Sequence, residues 1–563
     1  MRSRRFSNQA RAAWRRASSA SGLGAGAEAA SDMVRGTRGW LRNARRKPAR
    51  RARGKRRGAA LWRHARRAAR FARSIRGLTA KPFMTDAATQ TSPLDALRRA
   101  RATEHLLKIS AECRQLLVDG PPLGNLWAEV ADRALEAGDD IAARDAALKL
   151  TEAAPEHPQS WLWLAGAHAA LGDHAAALAA IEAQLQRHPN DAALHRRAGR
   201  AKLDLGQFAG AEASFRRALD IQPFDALSRE GLAQARTFTP GDDDLAVMED
   251  ARLKLAEAPA RDRGVLSYAL AKAYEDVGEH EVAARRVAEA AAFYRDSAPF
   301  DIVGHEAGVD HMLETYDERF AGANDEAGLV DSRPVFIIAP PAAGASWLSR
   351  VLAAEDDVRA LERGNGVFWM SAAPLGDQGP EALARALEQG GEENVLAQVG
   401  RTYARYVEER FGKIRRWIDP AALNEISGGA IGLSLPAARV VRITRDPRDL
   451  AWAILKRRFR RGRHWSYHAD DIARVLAAQE RLVGRWAQLF PDRILTVRYE
   501  DLATDLEDEI RRIAFFTGVD AEAALAEAWL TKALFERDPV GVHERAGSRF
   551  EPIEAALGRA GVV

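Results

Sequence analysis

A single cysteine, Cys113, stands in 563 residues. One thiol excludes an intramolecular disulfide and a cysteine-rich metal site, and it fits a reducing compartment. Long apolar runs are missing too: nowhere do about 18 apolar residues follow one another, as a membrane-spanning helix requires. Arg4 and Arg5 near the start are not followed by the apolar core of an export signal. The expected location is the cytoplasm. Acidic residues are nearly absent from one end of the chain. Residues 1–83 carry 25 Lys and Arg against 2 Asp and Glu, a net +23, whereas the other 480 residues carry 59 against 76, a net −17. The overall charge of +6 therefore belongs to a tail, and the body is acidic.

Three readings of that tail stand side by side. Trp62, Phe71 and Ile75 lie among the basic residues of 45–76, the pattern of an amphipathic stretch that docks on an anionic membrane or on nucleic acid. A disordered, solvated arm has the same composition. The composition changes abruptly at Met84, which makes Met84 an alternative start and residues 1–83 a segment outside the native protein.

A 34-residue period governs the next stretch. Gly138, Gly172 and Gly206 are 34 apart, as are Pro121, Pro155, Pro189 and Pro223; Trp127 and Trp161 share a repeat position, and so do Ala143, Ala177 and Ala211. Ala131, Ala165 and Gly199 keep a further position small. This is the tetratricopeptide pattern, in which small residues let two antiparallel helices touch, Gly opens the turn and Pro ends the second helix. After an irregular stretch holding Pro240-Gly241-Asp242-Asp243-Asp244, one more helix pair is expected from Tyr268 to Tyr294, turning at Val277-Gly278-Glu279. The groove of such a solenoid takes a peptide or protein, or the stack is a rigid spacer or a dimerisation surface. His157, His168, His174, His188 and His195 are scattered without convergent ligand spacing, so no metal is expected.

From about Asp331 short apolar runs alternate with helical segments, as a parallel sheet with crossover helices requires. Strands are predicted at Val335–Ile338, Arg439–Thr444 and Ile494–Tyr499. Polar clusters follow each: the loop Ala339 to Ser346 after the first, Arg445-Asp446-Pro447-Arg448-Asp449 after the second, Arg498 to Asp501 at the third. Ligands of open parallel sheets bind at the carboxyl ends of strands, where all three clusters fall. The first loop aims a helix N-terminus, opening at Trp347, at an anion. It lacks a cation, and of its hydroxyls only Ser346 is present.

These residues make the chain resemble the bacterial tetratricopeptide sulfotransferases over roughly residues 95–563. The resemblance rests on Tyr268 to Gly278, Pro334 to Leu352, Leu435 to Asp449 and Arg498 to Leu502, in that order. It implies an α-solenoid of tetratricopeptide repeats followed by an α/β parallel-sheet, P-loop-like sulfotransferase domain. The expected organisation is a basic tail at 1–83, a helical cap at 84–120, repeats at 121–300, a linker at 301–330 and the sulfotransferase-like domain at 331–563. The implied co-substrate is 3′-phosphoadenosine 5′-phosphosulfate, which gives its sulfuryl group to a hydroxyl-bearing acceptor of unspecified class, with no metal. By the same resemblance Arg445 grips the donor's 3′-phosphate, Tyr499 and Trp347 lie near its adenine, Gly344, Ala345 and Ser346 face its 5′-phosphosulfate, and Glu362 is the base. An ion pair of Arg445 with Asp449, a strand cap at Tyr499 and a core position for Trp347 are the alternative readings. His464, Tyr467 and His468 are either an acceptor cleft or loop surface.

The sequence departs from the family pattern in several places. Ala342 stands where a basic residue is expected, Ala343 and Ala345 replace two hydroxyls, Ala453 replaces a serine that holds the 3′-phosphate, and Asp419-Pro420-Ala421 lacks a lysine. Arg350, Arg363, Arg442 and Lys456 are the cations available to compensate. The leading reading is a sulfotransferase. The alternatives are a catalytically impaired relative, acting as a repeat scaffold or adenosine-phosphate-binding module, and a protein whose main task is docking through its tail.

Overall fold

A computed structural model describes residues 92–102, 106–297, 299–323, 327–361, 395–421, 424–459, 463–535, 539–545 and 547–563. The basic tail, Glu362 and Arg363 lie outside them. Helices α1 (Asp95–Ala102) and α2 (Leu106–Asp119) precede the repeats. The repeats follow as α3 (Trp127–Glu136) with α4 (Asp140–Ala153), α5 (Pro158–Ala170) with α6 (His174–Arg187), and α7 (Ala192–Asp204) with α8 (Phe208–Ile221). Each pair turns on a glycine in the left-handed region, Gly138 and Gly172 at φ 77° and Gly206 at φ 74°, which a side chain would strain. An aspartate then caps two of the second helices: Asp139 accepts from the Ala142 amide and Asp173 from that of Ala176.

Close helix approach explains the small residues. The Phe215 ring of α8 lies between Gly199 of α7 and Gly231 of α9 (Ala226–Ala235); a Cβ on Gly231 would come within 2.2 Å of that ring. The stretch expected to be irregular contains α10 (Asp243–Lys254), whose start is capped by Asp242 and whose Met248 and Ala251 are buried. The final pair is α11 (Ala260–Asp276) and α12 (His280–Ser297), turning at Gly278 with φ 82°. Two helices, α13 (Ile302–Thr315) and α14 (Glu318–Ala323), occupy the segment expected as a linker, and Val309, Met312 and Tyr316 join a buried core there.

The α/β part runs β1 (Pro334–Ile338), α15 (Ala345–Leu352), β2 (Val358–Ala360), α16 (Val395–Phe411), β3 (Arg416–Asp419), α17 (Asn424–Ser434), β4 (Arg439–Thr444), α18 (Pro447–Leu455), α19 (Ala469–Leu489), β5 (Ile494–Arg498), α20 (Tyr499–Thr504), α21 (Leu506–Thr517), α22 (Ala521–Phe535) and α23 (Glu551–Arg559). All pairings are parallel, in the order β2-β3-β1-β4-β5. Central β1 pairs Val335 with both Ile418 and Arg439. It is buried on both faces, Val335 and Ile337 in one core and Phe336 and Ile338 in the other, as a sheet covered by helices on each side requires. Ala271 and Val287 of the last repeat pair belong to the first of these cores. No helix among the described residues is long and apolar enough to cross a membrane.

Candidate functional site

Strands β1, β4 and β5 end side by side, and their following loops meet at the carboxyl edge of the sheet. After Ile338 the chain turns through Pro340, whose carbonyl accepts from the Ala343 amide at 3.2 Å, and reaches Gly344 at φ 91°, the N-cap of α15. A Cβ on Gly344 would sit 3.4 Å from the Tyr499 ring and 3.5 Å from that of Phe535. Ala342 adopts φ 66°, the one non-glycine among the described residues with positive φ. Such a backbone costs an L-residue about 1–2 kcal/mol. Ala343 is fully buried, whereas Ser346 is exposed at the helix start, beside amides that can face an anion.

Arg445 leaves the end of β4 and is 7% exposed. Its guanidinium lies 4.2 Å from the centre of the Tyr499 ring, with Nη1 donating to the Ala342 carbonyl at 2.9 Å and Nη2 to that of Pro539 at 3.2 Å. Arg445 thus holds the strained loop residue in place. It makes no ion pair with Asp449, whose carboxylate accepts instead from the Gly541 amide at 2.6 Å and from the His543 amide and Nδ1 at 2.8 and 2.9 Å. Asp446 caps α18 by accepting from the Arg448 amide. Burial works against its charge, but the Arg448 guanidinium and amide hold its carboxyl below the ordinary range.

Trp347 and Tyr499 come together through a residue without a role in the sequence reading. The Phe535 ring lies 4.5 Å from that of Trp347 and 4.4 Å from that of Tyr499. Trp347 Nε1 donates to Thr531 Oγ1 at 3.0 Å and Tyr499 Oη to the Phe535 carbonyl at 3.0 Å, so the end of α22 closes an aromatic cluster against the loop. Both indole and phenol are buried, and the core reading of Trp347 holds together with its place at the loop.

Of the cations available to compensate, the three within the described residues pair with carboxylates. Arg350 pairs with Glu527 at 2.6 Å, Arg442 with Glu480, and Lys456 with Glu275 at 3.1 Å. Arg549 is different. Its guanidinium lies 5.2 Å from the centre of the Trp452 ring, and its Nε and Nη1 are buried with no hydrogen-bond partner among the described residues. Burial pushes its pKa down, with only the Glu275 carboxylate opposing. Trp452 lies on α18 next to Ala453, the position where a serine is expected. Of the residues considered for an acceptor cleft, Tyr467 is buried against Tyr294 of α12, ring centres 5.0 Å apart, and donates to the Phe459 carbonyl.

A second polar cluster lies at the same edge of the sheet. Asn424 bridges two strand ends, donating to the carbonyls of Ile337 at 3.1 Å and Asp419 at 2.8 Å. Next to it, Glu425 is 7% exposed; Oε1 accepts from Gln479 Nε2 at 3.1 Å, and Oε2 has no partner among the described residues. Burial pushes its carboxyl up to about 7, against the pull of Arg463. Burial pushes the Asp419 carboxyl up as well, against hydrogen bonds from the Tyr403 hydroxyl at 2.7 Å and the Ala421 amide at 2.9 Å. Among the described residues no group of three or more His, Cys, Asp or Glu is placed to hold a metal ion.

Comparison with known proteins gives this edge a family. Residues 334–523 match the sulfotransferase family model, and residues 158–201 and 193–225 match two tetratricopeptide-repeat models. An "Uncharacterized protein" of Aquifex aeolicus (strain VF5) is 20% identical over 307 residues, 52% of this chain and 39% of its own length. The chain therefore spans about 39% of the length of that curated relative. A sulfotransferase from Alicyclobacillus acidocaldarius, of known crystal structure, is 18% identical, covers 40% of this chain and 97% of its own, and superposes with a TM-score of 0.24. Residues 334–523 are thus a domain of the sulfotransferase family, joined on its N-terminal side to tetratricopeptide repeats.

Proposed function

We propose that the chain binds 3′-phosphoadenosine 5′-phosphosulfate and transfers its sulfuryl group to a hydroxyl-bearing acceptor. The observation that carries this reading is the meeting of Gly344–Ser346, Arg445 and Tyr499 at one end of β1, β4 and β5. The exposed Ser346 and the amides opening α15 suit the 5′-phosphosulfate, and the buried, unpaired nitrogens of Arg549 suit a phosphate beside Trp452. Trp347 and Tyr499 are proposed to lie near the adenine, which would meet the edge of their cluster because their faces pack on Phe535 and, for Tyr499, on Arg445. In the reaction the acceptor oxygen attacks sulfur in line, its proton passes to a carboxylate, and the bond from sulfur to the bridging oxygen breaks. Adenosine 3′,5′-bisphosphate leaves with the electron pair. Glu362 is the carboxylate proposed as base.

One feature favours a second reading, a weakened enzyme serving as an adenosine-phosphate-binding module on a repeat scaffold. Ala342 offers no cation to the leaving oxygen, and Arg350, Arg442 and Lys456 are committed to carboxylates. Loss of one preorganised transition-state donor costs about 10²- to 10³-fold in rate. Calorimetry of the full chain with adenosine 3′,5′-bisphosphate tests the donor site, and absence of heat at millimolar ligand removes both readings. Transfer from radiolabelled donor then separates them. Ala342→Lys combined with Ala345→Thr raises turnover if the missing groups are the defect; Ala343 is left unchanged because its side chain is fully buried.

A further inference from the structure

Helix α18 carries Trp452 and Ala453 under the proposed 3′-phosphate position, and its far end is gripped by the repeats. Trp452 Nε1 donates to Glu275 Oε1 at 2.9 Å, and Lys456 Nζ donates to Glu275 Oε2 at 3.1 Å. The Tyr268 hydroxyl donates to the Leu455 carbonyl at 3.2 Å, and Arg458 makes a two-pronged pair with Glu230 at 2.8 and 2.6 Å. Glu275, Tyr268 and Glu230 all come from the repeat helices α9 and α11. The indole that Glu275 fixes is the surface on which the Arg549 guanidinium rests. The Glu275 carboxylate opposes the effect of burial on the Arg549 guanidinium.

We infer that Glu275, supplied by the last tetratricopeptide pair, is a positioning residue of the donor's 3′-phosphate pocket, acting through Trp452 on Arg549. This inference rests on the donor-site reading above. It makes the repeats a wall of the site. Two effects of opposite sign meet at this carboxylate. Its charge disfavours a nearby phosphate, so removing the charge alone would tighten binding. Its hydrogen bond orients the indole, so removing the acceptor would loosen binding.

Substitutions separate the two effects in calorimetry of the full chain with adenosine 3′,5′-bisphosphate. Glu275→Gln keeps an acceptor for the indole and is expected to bind within about threefold of the unmodified protein. Glu275→Ala and Trp452→Phe each remove the bond and are expected to weaken binding by at least about tenfold. Trp452→Phe keeps a ring under Arg549 while removing the N–H that donates to Glu275. In turnover the loss falls on KM for the donor and leaves kcat within about threefold, because uniform binding is removed. The inference is overturned if either Glu275→Ala or Trp452→Phe binds as the unmodified protein does, or if Glu275→Ala tightens binding. If the unmodified protein releases no heat, the donor-site reading itself falls, and this inference with it.

Discussion

Glu425 carries a charge that the fold accommodates poorly, and the size of the penalty follows from its surroundings. Burial raises its carboxyl from an ordinary 4.5 to about 7. At about 1.4 kcal/mol per pH unit, that displacement amounts to about 3 kcal/mol. The folded protein holds this proton more tightly than the unfolded chain does. Stability contributed by the neutral carboxyl is therefore present at pH 4.5, falls as pH rises towards 7, and is absent at pH 8. Glu425→Gln keeps the volume, still accepts from Gln479 Nε2, and has nothing to titrate. The substitution is expected to stabilise the protein by about 3 kcal/mol at pH 8 and by less than about 0.5 kcal/mol at pH 4.5. For a domain of this size the gain at pH 8 corresponds to roughly 5–10 °C in Tm. Thermal denaturation followed by circular dichroism at both pH values, comparing the two proteins at each, measures it. A difference in Tm that is the same at pH 4.5 and pH 8 would refute the reasoning, since packing changes are independent of pH and the proposed penalty is not.

Further outcomes follow from backbone strain and buried charge. Gly344→Ala places a side chain at φ 91° against Tyr499 and Phe535, and is expected to lower the unfolding free energy by about 1–2 kcal/mol, read as a lower urea midpoint. Ala342→Gly relieves φ 66° at the price of chain entropy, for a net gain of about 0.5–1 kcal/mol by the same measurement. Arg458→Ala leaves the Glu230 carboxylate, whose side chain is 13% exposed, without its partner, and is expected to cost about 3–5 kcal/mol. A melting temperature unchanged in Arg458→Ala would show that the repeats do not grip α18 through this pair.

What the sequence discloses depends on how locally each feature is encoded. The repeats are legible because a left-handed glycine and a small helix–helix contact recur every 34 residues, each forced by geometry within one helix pair. Strands β1, β4 and β5 are legible as apolar runs ending in polar clusters. Two strands escape such reading: β2 has three residues, and β3 presents Arg-Trp-Ile-Asp, where a buried acid and an outer arginine break the apolar run. The same distinction divides the site. Gly344, Trp347, Arg445 and Tyr499 sit at fixed offsets from strand ends, so topology alone brings them together. Phe535 and His543 lie on α22 and the segment after it, where no local pattern marks them, whereas Arg549 falls in the segment from Arg545 to Phe550, which faintly resembles the donor-binding ends of the family. The loop shows why both kinds of information are needed. The absence of a cation is plain in Ala342, but nothing local in the sequence indicates that Arg445 directs two donors to the carbonyls of Ala342 and Pro539, or that the Arg549 guanidinium lies over Trp452 with buried nitrogens turned to no partner among the described residues. The loop before α15 carries no cation of its own and α18 is held by the repeats, so on the proposed reading the positions of Arg549 and Glu275 set how tightly an adenosine phosphate binds.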